Sequence, residues 1–150
     1  VAGSGGAAVE ANVIDNLMRQ FRQSGDPHVP LQVKTYRKAL FRLKGGIQVN
    51  ADFQSEQVLA AVKQELKEAF SFESRAFGQG VALSEVLAVM QAVPGVVHID
   101  LDRLRRQRSR RNGLKASLPA AVPRRDGNRL LAAELLTLDP TSLDELGALL

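Results

Sequence analysis

Two histidines, a scatter of carboxylates and one dense run of arginines are the residues of this chain that could do chemistry. His98 lies on the same strand-like stretch as Asp100 and Asp102, and period-two spacing puts all three on one face, a permissible start for a metal site. Nothing supplies the outer hydrogen-bonding partners that orient metal ligands, so the plain reading is a solvated polar edge. His28 stands alone. Glu65 and Glu68 sit beside Lys63 and Lys67, which makes ion-paired surface rather than an acid–base pair. Ser4, in GSGG, lacks the Lys-Ser/Thr ending of a phosphate loop. Ser84 has no His nearby in sequence and is accounted for as a helix start. The absence of Cys removes thiol nucleophiles, disulfides and Cys-rich zinc sites. The expectation is a protein that is not an enzyme and holds no metal or cofactor.

The arginines are the stronger signal. Residues 103 to 125 hold Arg103, Arg105, Arg106, Arg108, Arg110, Arg111, Arg124 and Arg125 with Lys115 and no acid. That segment carries +9 in a chain of net charge +4, which leaves −5 for everything else. The body is mildly acidic and one stretch is strongly basic. Such a run neutralises phosphates or acidic protein surfaces. It lacks the interleaved aromatics that stack bases, so an acidic protein partner is the favoured reading and a nucleic-acid module using 103–111 the alternative. A second basic residue, Arg75, lies in FSFESRAFGQG among Phe70, Phe72 and Phe77. It either ties the loop down through carbonyls or a carboxylate, or anchors an interface, where Arg and aromatics are enriched. Both readings stay open.

The elements that position these residues follow from periodicity. Ile14, Leu17, Met18 and Phe21 recur at helical spacing over 11–24, and Gly25 with Asp26-Pro27 stops the helix. From Leu31 to Val49 the period is two, with Ala39, Phe41, Leu43, Ile47 and Val49 on one face. Gly45-Gly46 is either a turn or a bend in one long strand. Val58, Val62, Leu66 and Phe70 mark a helix capped by Ser55 or Asp52. Leu83, Val86, Leu87, Met90 and Val93 mark another, ended by Pro94-Gly95. Val97, Ile99 and Leu101 then alternate with polar residues as a strand. Residues 105–128 show no periodicity and read as a long, mobile, disordered basic loop. NRLLAAELLTLD is ambiguous between helix and strand. Ser142 and Glu145 have capping-box spacing for a short terminal helix, with apolar Leu149 and Leu150 behind it.

This order gives an α+β fold: a two-layer domain with a small mixed or antiparallel sheet packed against helices. Residues 1–10 read as a flexible segment and 11–150 as one domain. No apolar run approaches the roughly 20 residues of a membrane span. The start, VAGSGGAAVEAN, lacks the basic and apolar regions of a signal peptide.

Three stretches carry a resemblance. GDPHVPLQVKTY, FSFESRAFGQGVALSEVLAVMQAVPGVVHIDLDRL and AELLTLDP, in this order, resemble the C-terminal region of the baseplate J-like proteins, the baseplate assembly proteins of contractile phage tails and phage-like injection particles. The likeness covers roughly residues 9 to 140, and the Arg-rich stretch looks like a variable insertion. It implies a structural wedge component that binds other wedge and hub proteins and copies of itself. It implies assembly in the cytoplasm and residence in a particle, and a chain that is the C-terminal part of a longer protein, in keeping with the missing initiator Met. It brings no catalytic residues. The expected contacts are Arg75, Phe77, Gly78 and Gln79 in one loop, Arg105, Arg106 and Arg108 in the basic stretch, and Leu149 and Leu150 at the end.

Overall fold

A computed structural model describes residues 1–26, 28–111 and 113–149. In chain order the elements are α1 (Ala11–Ser24), β1 (Arg37–Val49), α2 (Ser55–Ala69), β2 (Val81–Ala82), α3 (Leu83–Gln91), β3 (Val96–Arg106), β4 (Ser117–Leu118), β5 (Arg124–Asp126), β6 (Arg129–Leu131), β7 (Glu134–Leu138) and β8 (Leu146–Ala148). The fold is α+β. Strand β1 is the spine. It pairs antiparallel with β3 on one side and, on the other, parallel first with β7 and then with β8. β7 and β8 are thus one interrupted lane, separated by a 3-10 turn from Pro140 to Glu145.

Helices α2 and α3 cover one face of this sheet. Val58, Val62 and Leu66 of α2, with Val86 and Met90 of α3, meet Phe41, Leu43 and Ile47 of β1 in one core. Phe70 closes the end of α2 and packs edge-to-face on Phe41 at 5.2 Å between ring centroids. The other face carries charge: Arg42 pairs with Glu145 at 2.6 Å and reaches Asp139 at 3.8 Å.

Gly45-Gly46 is a bend within one strand rather than a turn. A Cβ at Gly45 would collide with the Asp100 carbonyl and the Leu101 backbone, so only glycine lets β1 and β3 approach there. The register shifts at this point and again at Gln48/Val49, leaving Asp102 and Val97 of β3 unpaired. Each extra residue resets the facing. Val96, Ile99, Leu101 and Leu104 therefore pack on the core while Val97 stands 54% exposed, not inward as simple alternation predicts.

Four other expectations change. Residues 31–36 are extended but unladdered, and β1 begins at Arg37. The stretch 105–128 is not one structureless loop: β3 runs into it to Arg106 and β4 and β5 lie within it. Among the described residues no terminal helix forms. Asp139, not Ser142, caps the 3-10 turn by accepting from the Thr141 N–H at 3.1 Å, and β8 follows. Neither Ser55 nor Asp52 caps α2, whose N-cap is Gln54 without a side-chain bond. The ambiguous NRLLAAELLTLD resolves into β6 and β7. All five residues of β7 are buried, as expected of a strand covered on both faces. Within residues 1–10, the 3-10 turn Ser4–Gly6 lies against Tyr36, whose hydroxyl donates to the Gly6 carbonyl at 2.7 Å.

Candidate functional site

The loop between α2 and α3 is built around Arg75. Its guanidinium is buried, donating to Glu85 Oε1 at 2.6 Å and to the Gly80 carbonyl. It also lies 5.3 Å over the Phe70 ring. Arg75 thus ties its loop down, joining Phe70 at the end of α2 to Glu85 in the first turn of α3. Gln79 folds the loop tip, its Oε1 accepting from the Ala76 N–H at 2.9 Å. Phe77 points out, 44% exposed, with its ring 5.4 Å from Tyr36. Gly78 has φ +75°, and a Cβ there would sit 2.8 Å from Val122 Cγ1, so the position needs glycine on both counts.

Glu134, at the start of β7, joins this loop to the basic stretch. Its carboxylate takes Arg37 at 2.6 Å, Arg106 at 2.9 Å and the Ala121 N–H at 2.9 Å. Its backbone is used as well: its N–H donates to the Ala121 carbonyl at 2.8 Å, and its carbonyl accepts from the Gly78 N–H at 2.7 Å. Arg106 adds a bond to the Pro119 carbonyl at 3.0 Å. β2 pairs with β4 just beside this, Val81 opposite Leu118. The free edge of β7 is therefore covered, as an edge strand requires. The hydrogen bond from Arg106 is the main cause that holds the Glu134 carboxyl down to about 2 from 4.5. Burial opposes this, and Ala121 and Arg37 assist.

The basic residues divide. Arg106 is spent on Glu134. Arg105 closes the turn after β3, donating to the carbonyls of Gln107 at 3.3 Å and Ser109 at 3.0 Å. Arg108, Arg110 and Arg111 are exposed and make no ion pair among the described residues. Leu149 lies apart from both loops. Its N–H donates to the Ile47 carbonyl at 2.8 Å and its side chain lies over Gly46, leaving it 40% exposed. Leu150 lies outside the described residues. The structure thus brings Phe77, Gly78, Gln79 and Arg106 to one region and leaves Leu149 at another.

Glu134 and Tyr36 are absent from the residues the sequence singles out. A signal existed for Glu134: it is the one acid inside the apolar run from Leu130 to Leu138, next to a stretch of +9, and an acid in that setting needs cationic partners. Among the described residues no group of three His, Asp or Glu side chains is placed to hold a metal ion. Among them, too, no helix is long and apolar enough to cross a membrane. Compared with protein-family models and with curated proteins, the chain finds no match.

Proposed function

We propose that this protein is a structural component of a contractile, phage-tail-like baseplate, a wedge or assembly protein that acts through protein–protein contacts and not through catalysis. The observation that carries this is the double use of Glu134. One residue of a buried strand fixes both the Phe77-Gly78-Gln79 loop and the basic stretch, through five short bonds. Two outward-facing loops held rigidly to one sheet form a ledge suited to a fixed neighbour, because little conformational entropy is left to lose on docking. The resemblance of residues 69–104 to the baseplate J-like core supports the same reading. Its partners are other wedge and hub proteins and copies of itself. Its place is the cytoplasm during assembly and the particle afterwards.

Size fractionation of producing cells, with mass spectrometry of what co-sediments, tests this. The expected result is recovery with sheath, tube and spike proteins. Recovery only as a small free protein overturns it. The rival reading, a nucleic-acid module, draws on Arg108, Arg110 and Arg111, which face solvent without acidic partners among the described residues. It predicts oligonucleotide binding that falls steeply with salt and vanishes when those three are neutralised.

A further inference from the structure

The ladder between β1 and β3 stops short of the start of β1. Its last pair is Phe41 with Arg106. Beyond it, among the described residues, only the Gln107 N–H reaches back, to the Leu40 carbonyl at 2.8 Å. On the other side β1 stays paired with β7 from Arg37 to Phe41. There the Arg37 N–H donates to Ala133 and the Phe41 carbonyl accepts from Asp139. Successive residues of a strand aim their amides to opposite edges. The N–H and C=O of Lys38 and the N–H of Leu40 therefore face the side that β3 has left. The Gln107 carbonyl, which would complete the pair with Leu40, is taken by Arg105 at 3.3 Å. Upstream, the Tyr36 N–H is satisfied by the Val1 carbonyl at 3.0 Å. What remains is a window in the strand edge, about 13 Å from Tyr36 to Leu40 at the rise of a strand.

A cleft of about 430 Å³ opens on this window, walled by residues 37–40 of β1 with Arg106, Arg108 and Glu134. Its charge is lopsided. Arg37, Lys38, Arg106 and Arg108 face a single carboxylate, and Glu134 is already engaged by two of them and by Ala121. Lys38 and Arg108 are exposed and, among the described residues, carry neither an ion pair nor a side-chain hydrogen bond. The cleft thus joins open main-chain groups to uncommitted cations.

We propose that this cleft seats an acidic, extended segment of a partner protein, its main chain completing the strand edge at Lys38 and its carboxylates pairing with Lys38 and Arg108. Strand addition takes affinity from the main chain and specificity from alternate side chains. A peptide suits the window better than a nucleic-acid strand, since no aromatic ring lines the cleft to stack a base. The inference rests on the assembly reading only for the identity of the partner.

The purified protein tests it. Fluorescein-labelled Glu-Val-Glu-Val-Glu is titrated by anisotropy and by amide NMR shifts, beside Lys-Val-Lys-Val-Lys and a single-stranded thymidylate decamer. The expected result is binding of the acidic peptide alone, with shifts centred on Lys38, Leu40 and Gln107. The K38E/R108E variant should bind it roughly tenfold more weakly at an unchanged Tm. Unchanged affinity in that variant, shifts centred elsewhere, tighter binding of the oligonucleotide, or no binding at millimolar peptide each overturn the proposal. Peptide binding by a protein that fails to co-sediment with tail components removes the assembly role and leaves the cleft standing.

Discussion

Helix α2 buries Val58, Val62 and Leu66 in the core, whereas α1, of similar length and with its own apolar stripe, fully buries no residue. Ile14, Leu17 and Met18 are partly buried, and Val13 and Phe21 are each 50% exposed. What differs is the surface opposite. α2 lies over the inward row of β1, where Phe41, Leu43 and Ile47 are wholly buried. α1 lies beside Gln32–Lys34 and Arg129–Leu130, an unladdered segment and a short hairpin. An amphipathic pattern forms a helix; only a complementary face stabilises it, because propensity alone is marginal at this length. The two helices therefore predict very different responses to the same kind of change.

The largest contrast is in the core. Leu66→Ala in α2 removes a side chain with no exposed surface and should cost about 3 kcal/mol, a fall in Tm of roughly 8–10 °C by calorimetry. A loss under 1 kcal/mol would mean that α2 is not the helix holding the sheet.

Next comes Glu134, which gives the ordered loops the attachment that α1 lacks. Its carboxyl is held at about 2 in the folded protein against an ordinary 4.5. A depressed folded value contributes stability that is present above about 4.5 and lost as pH falls towards 2. That contribution is about 2 kcal/mol, less than full linkage because the Arg37 side chain is 66% exposed and screened. Glu134→Gln should lower stability by this amount at neutral pH and flatten the acid limb between those values. An acid limb parallel to that of the parent in urea titrations from pH 2 to 6 would show that the carboxylate is not the anchor.

These two sites also separate what sequence reveals from what it hides. α2, α3 and the inner face of β1 are legible because each has one buried face and a clean period. β7 is not, since burial on both faces erases alternation and leaves an apolar run that reads equally as helix. The reset at Asp102 is invisible because it depends on where Gly45 lets β1 approach, and the one at Val97 falls at Gln48/Val49, where no residue type marks it. β4, β5 and β6 are two or three residues each, too short for a period, and tertiary bonds such as Ala121 to Glu134 place their surroundings. Phe77, Gly78 and Arg106, which the structure brings to one region, stand out by residue type. Glu134 shows only as the one acid in an apolar run beside the basic stretch, a signal that periodicity and motif reading pass over.

Arg75 gives a smaller effect with a local signature. Arg75→Met keeps an unbranched side chain but removes the cation over Phe70 and leaves Glu85 and the Gly80 carbonyl without their donor. It should cost about 1–2 kcal/mol and speed hydrogen exchange of the 76–80 amides. Exchange unchanged in that loop would place its rigidity in Gly78 and Glu134 alone.

The smallest effect is expected where the sequence signal for a helix is strong but the structural support is weakest. Leu17→Ala trims the apolar stripe of α1 at a partly buried position outside the core and should change stability by no more than about 1 kcal/mol. The same weakness predicts that α1 amides exchange by local opening, far faster than those of α2, whose protection should approach the global limit. The two measurements check each other. A helix that opens alone leaves the core intact, so a side chain lost from it barely registers in global unfolding. If Leu17→Ala costs as much as Leu66→Ala, or α1 is protected like α2, the apolar stripe of α1 is packed in solution and the contrast between the helices fails.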